Sequence, residues 1–202
     1  MKELEIRNYF TNSLKEEDLD KIIKVGQVVA NGLTLEKGTP ADYYMERFQI
    51  VGVITETLIE TSEILDIEIP KVGKIYEWGD IKSENVYFGI TALAEPDEIK
   101  FSPTYLKRIA LGFNRKGPGS NNEINSLVNT AAHEMFHVWQ WREFPEKSQK
   151  DFENYTKWYI YAMQNSDFSL NEIPKPKSER EAIEFGKQIE KARKELKNNY
   201  FK

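Results

Sequence analysis

The chain has 202 residues, enough for one domain with a sizeable core, and its 40% hydrophobic and 30% charged composition is that of a globular protein, not a disordered one. Its net charge is −5 with basic and acidic residues mixed along the chain; this excludes a concentrated basic face, so no nucleic-acid partner is expected. The absence of cysteine excludes disulfides and thiolate metal sites, so any metal must be held by nitrogen and oxygen.

The first residues lack the apolar stretch of an export signal and no run is long enough to span a bilayer, so a cytoplasmic chain without membrane contact is expected. Ser13 to Glu16 has the capping-box pattern, and Leu14, Leu19, Ile22, Ile23, Val28 and Val29 follow at near-helical spacing up to Asn31-Gly32. This predicts a helix over roughly 14–31. Thr39-Pro40 opens a second, roughly 40–65, with Tyr44, Phe48, Val51, Ile54, Leu58 and Leu65 as its apolar residues. Val72 to Trp78 and Asn85 to Ala94 read as strands, and Glu95-Pro96-Asp97 turns the second into Glu98 to Phe101 as a hairpin partner. Ser102-Pro103 starts a helix through Tyr105, Leu106, Ile109 and Leu111, and Gly112 to Gly119 is a loop.

Ser120 to Glu123 is a further capping box, so a helix begins near Asn121. On it Ile124, Leu127, Val128, Ala131, Met135, Val138 and Trp139 form a core stripe, while His133 and His137, with Thr130 and Gln140, face the other way. After a turn at Phe144-Pro145, a helix from about Lys147 to Met163 carries Phe152, Tyr155, Trp158, Tyr159 and Tyr161 at a spacing that predicts core packing. A polar, proline-broken stretch runs from Gln164 to Lys177. Ser178 then caps a last helix with apolar Ala182, Ile183, Phe185 and Ile189 and a solvated, charged end. The expected fold class is α+β: mainly helical, with a small, mostly antiparallel sheet. It forms one domain over 1–202, with a helical part of about 1–66 and a second part, which holds both histidines, of about 67–202.

The chemistry centres on His133-Glu134-Met135-Phe136-His137, which uses both histidines of the chain. Residues four apart share a helix face, so the two imidazoles can converge on one ion while Glu134 is turned toward a water that the ion polarises. This is the HExxH zinc pattern. The third ligand has to be a carboxylate, a carbonyl or water. A histidine pair that is merely hydrogen-bonded is the plainer reading of the same residues; the capped helix and the use of every histidine weigh against it.

Together with Ser178-Glu179-Arg180-Glu181-Ala182-Ile183-Glu184-Phe185-Gly186, the motif resembles a small gluzincin-type zinc metallopeptidase of the zincin superfamily, over roughly Asp97 to Gly186. The resemblance implies a zincin-like domain in which a second helix supplies a ligand glutamate. A sheet edge lies over the cleft, either Glu98 to Phe101 or its hairpin partner. The glutamate at the matching position is Glu179, with Glu181 as the alternative. The implied activity is endopeptidase hydrolysis of a peptide or protein substrate, with Zn2+ held by His133, His137 and Glu179, and Glu134 as general base toward the water. The chain departs from the pattern at Ile183, where an aspartate often stands, so a ligand histidine must find its supporting partner elsewhere. With no third histidine, a tyrosine or arginine would have to stabilise the transition state. The rival function is a non-catalytic binding or regulatory protein with a structural zinc site. Glu134 discriminates, since a structural site has no use for a water-activating carboxylate. Gln140 and Thr130 read as support or helix surface rather than catalysis, and Tyr155, Tyr159 and Tyr161 as core.

Overall fold

The computed structural model describes residues 16–33, 43–74, 92–103, 105–106, 108–110, 121–164 and 174–200. Two helices, α1 (Glu16–Gly32) and α2 (Tyr43–Leu65), precede three strands, β1 (Lys71–Lys74), β2 (Ala92–Glu95) and β3 (Glu98–Phe101). The described residues between 103 and 110 are helical, and α3 (Asn121–Glu143), α4 (Pro145–Gln164) and α5 (Lys177–Tyr200) follow.

Helix α1 buries Ile22, Ile23, Val25, Val29 and Ala30, whereas Val28, expected on the same face, remains 42% exposed. It runs on through Gly32, where a Cβ would lie 1.7 Å from the backbone oxygen of Val72. The glycine thus lets β1 pass against the helix end, beyond serving as a stop signal. In α2, Val51, Ile54 and Leu58 are buried together with hydroxyl residues. Thr57 and Thr61 donate back to the carbonyls of Val53 and Thr57 at 2.7 and 2.6 Å, so these two buried hydroxyls are met within the helix, whereas the buried Thr55 hydroxyl has no partner among the described residues. It is stopped by Asp66, with φ of 52°, and the Ile67 amide returns to the Ser62 carbonyl at 3.0 Å.

The sheet order is β1-β3-β2. The expected hairpin is present, with Ala94 opposite Ile99 in an antiparallel pair, but β1 joins parallel to β3, Val72 beside Ile99. The sheet is therefore mixed, with one parallel and one antiparallel pair, which corrects the expectation of a mostly antiparallel one. The roughly dozen residues that a parallel crossover needs are available between Lys74 and Glu98, and nothing in Lys-Val-Gly-Lys fixes a strand's direction. β3 is the central strand and β2 an edge. Ile99 and Phe101 alternate into the core, while Lys100 projects from the other face to Glu95 at 2.6 Å and Glu98 at 3.5 Å.

Helix α3 is the hub, in contact with α2, α4, α5 and both strands of the hairpin. Leu127, Val128, Ala131, Met135 and Val138 are buried as its stripe predicts; Trp139 is only half-buried. Helix α4 begins at Pro145, two residues before the expected start, as suits proline's preset φ in a first turn. Three of its aromatics are not core: Phe152, Trp158 and Tyr161 are 45, 44 and 50% exposed, while Tyr155 is half-buried. The three exposed rings pair at the surface, Trp158 edge-on to Tyr161 at 6.0 Å and Phe152 with Trp141 at 6.1 Å. In α5, Ala182 and Ile189 are buried and Ile183 and Phe185 partly so. Ser178 is not its cap. The helix starts at Lys177, the Arg180 amide donates to the Pro176 carbonyl, and the Ser178 hydroxyl donates to Asp151 at 2.6 Å. Ser102 does cap the turn that follows β3, accepting from the Tyr105 amide at 3.3 Å.

Outside the described residues lie Leu14, positions 40–42, strand positions 75–78 and 85–91, Leu111 and the 112–119 loop, Ser120, positions 165–173, and the side chains of Leu19, Tyr44, Phe48 and Tyr159. No described helix is long and apolar enough to cross a membrane.

Gly32→Ala is expected to destabilise the protein by about 1–3 kcal/mol, the range for overpacking, because the contact it meets is backbone and cannot rotate away. Denaturant unfolding of the two proteins side by side measures the difference, and equal midpoints would show that α1 does not press on β1.

Candidate metal centre

His133 and His137 stand one turn apart on α3, and the first turn of α5 brings Glu179 against them. The Glu179 carboxylate lies 3.0 Å from His137 Nε2 and 3.6 Å from His133 Nε2, and the two imidazole nitrogens are 3.1 Å apart. Two ring nitrogens this close cannot both present lone pairs to each other without a proton or a cation between them. Ligands around a tetrahedral ion with bonds of roughly 2.0–2.1 Å are separated by about 3.3 Å, so the three atoms are spaced as such an ion requires. Among the described residues this is the group of histidine and acidic side chains that could hold a metal ion. The three side chains are 15, 20 and 18% exposed, so the group is lined by protein yet reachable from solvent.

Glu134 is placed differently. It is buried, 5% exposed, with its carboxylate 4.0 Å from His133 Nε2 and a hydrogen bond from the backbone amide of Ala94 in β2. Burial pushes its pKa up, and the Glu179 charge adds to this; the two histidines and the Ala94 amide oppose it without cancelling it. Burial also works against the charged form of Glu179, but hydrogen bonds and charge from both histidines outweigh it and hold that carboxyl well below the usual range. Burial would lower the pKa of His137, yet the Glu179 hydrogen bond, the two carboxylates and Gln140 leave it raised.

Glu181 is not in the group. Two residues further along α5 it turns away, 3.4 Å from both Lys177 and Gln140. Thr130 is held one turn before His133 by the Tyr105 hydroxyl at 3.1 Å, which also reaches Ser126. The sequence did not single out Arg142, whose guanidinium donates to the carbonyls of Glu68 at 2.8 Å and Pro96 at 3.3 Å. It ties the end of α3 to the hairpin turn and so to the strand that carries Ala94. Its distance in sequence from both partners left no local pattern to read. Next to the centre, a groove of about 510 Å³ is floored by the rings of Phe136, Trp139, Phe144 and Phe185.

No protein-family model, no curated protein and no solved structure matches the chain.

The protein is expected to bind about one divalent transition-metal ion per chain, the stoichiometry of a single three-ligand site. Glu179→Gln should weaken binding by more than the roughly 10–100-fold that loss of a supporting residue costs, while Glu181→Gln stays near wild type. Competition with a chromophoric chelator measures both; release of metal by Glu181→Gln alone would show that Glu179 is not the ligand.

Proposed function

We propose that the chain is a zinc-dependent peptidase in which His133, His137 and Glu179 hold the metal and Glu134 is the general base. The observation that carries this reading is the Glu134 carboxyl, buried beside the triad but not part of it. A structural clip needs no fourth ionisable group, and burying one without a partner ion is costly. A carboxyl whose pKa is raised by burial is suited to accept and return a proton near neutral pH.

When bound by His133, His137 and Glu179, zinc would supply Lewis acidity toward the water and the substrate carbonyl. Glu134 takes the water's proton on a carboxylate oxygen and hands it to the leaving amine nitrogen as the peptide bond breaks. The Ala94 amide holds that carboxylate in place. His133, His137 and Glu179 provide two neutral nitrogens and one charge, which leaves net positive charge at the centre. Strand β2 supports a peptide as substrate class. It is a sheet edge in contact with α3, so its outer backbone groups can pair with an added extended chain. The resemblance to gluzincin-type peptidases points the same way.

Glu134→Gln is expected to keep metal and fold while lowering hydrolysis of an unstructured protein substrate by at least the roughly 10²–10⁴-fold that a general base contributes. Cleavage assays on zinc-loaded protein decide it. Equal rates for the variant and wild type would remove Glu134 from the mechanism, and a zinc-loaded wild type inert toward a broad peptide library would favour the non-catalytic binding protein.

A further inference from the structure

We propose that Gln140 is the positioning residue that presents His137 to the metal, an inference that rests on the zinc reading above. Gln140 is a polar side chain in the interior, 4% exposed. Its Oε1 lies 2.9 Å from His137 Nδ1, and its Nε2 donates to the Ser178 carbonyl at 3.1 Å, with a Glu181 carboxylate oxygen at 3.4 Å. A carboxamide has one accepting end and one donating end. The Ser178 carbonyl can only accept, which fixes the NH2 group on that side and the oxygen toward His137. An oxygen there requires the proton on Nδ1. The free ring nitrogen of His137 is then Nε2, the atom that faces His133 Nε2 and Glu179.

The same amide reaches across the helix interface. Ser178 immediately precedes Glu179, so one buried side chain fixes the tautomer of one ligand and anchors the turn that carries another. This supplies from α3 itself the support that Ile183 cannot give from α5. Gln140 sits three residues after His137, within reach on a helix face, and without this amide the ring could rotate or adopt the other tautomer.

Two variants separate positioning from packing. Gln140→Met keeps the volume and removes the acceptor; Gln140→Glu keeps an acceptor for Nδ1 but cannot donate to Ser178. Zinc affinity is read by chelator competition, and the imidazole tautomers by 15N NMR, where the two histidines of the chain give two assignable rings. In zinc-loaded wild type, His137 is expected to carry a slowly exchanging Nδ1 proton. Gln140→Met should lose that protection and bind zinc about 10–100-fold more weakly, while Gln140→Glu keeps the Nδ1 proton even though, unable to donate to Ser178, it loosens the turn that carries Glu179. The proposal is overturned if Gln140→Met binds as tightly as wild type, or if Gln140→Glu loses the Nδ1 proton as Gln140→Met does. Should Gln140→Met fail to fold, Gln140→Glu decides alone, and loss of the Nδ1 proton in that variant overturns the proposal. A wild type that takes up no zinc overturns the peptidase reading and this inference together; a wild type that binds zinc alongside an equally tight Gln140→Met overturns this inference only.

Discussion

The arrangement depends on how closely α3 and α5 approach each other. A Cβ at Gly186 would lie 2.8 Å from the Asn129 backbone oxygen, and Ala182 is fully buried, so the crossing is built from the smallest side chains available. Any larger residue at 186 would push the helices apart, and the separations within the triad, all between 3.0 and 3.6 Å, leave little slack for that. Polar contacts hold α5 further along: Asn129 of α3 donates to Glu190 at 2.9 Å, and Arg193 reaches Glu60 of α2 at 2.8 Å.

Within that frame, α3 violates the ordinary rule for a hub helix at two points. Its stripe of Leu127, Val128, Ala131, Met135 and Val138 is apolar, yet Glu134 and Gln140 are buried among the same turns. An interior carboxylate or amide is tolerated where its hydrogen-bonding groups are met, and both are: Glu134 by a strand amide, Gln140 by His137, Ser178 and Glu181. Buried polar groups with assigned partners, aligned beside solvent-reachable histidines, are how a helix can serve core and chemistry at once. The mixed sheet contributes through β2, which supplies the Ala94 amide and is an edge among the described strands.

The parts of this that were legible in sequence are those written at short range. The four-residue spacing of the histidines, the apolar stripe of α3 and the Pro-Asp turn of the hairpin each depend on neighbours in the chain, and each is found in place. The resemblance points to Glu179 with Glu181 as the alternative, and it is Glu179 that the structure brings beside the two histidines. What stayed hidden was set by distant partners. The direction of β1 depends on which strand it meets. The aromatics of α4 repeat at a core-like spacing, but burial depends on what covers a helix, and among the described elements α4 packs mainly on α3 and α5. Ser178 has a capping residue's chemistry and spends its hydroxyl on Asp151 instead. Gln140 was read as support or surface, since only the arrival of the Ser178 carbonyl gives its amide a direction.

Glu179 joins His137 across 42 positions of chain. Among the described side chains of α5 the buried apolar ones are Ala182 and Ile189, with Ile183 and Phe185 partly covered, and much of the remaining described surface is charged. Helices docked on small apolar areas belong to the low-stability end of a protein's opening hierarchy. Undocking α5 would dismantle the triad while leaving the packing of α2, α3 and the sheet largely in place. The centre is thus a feature of the last helix's attachment, and amide hydrogen exchange should find the lifetime of the site set by α5 alone, well short of the global unfolding time.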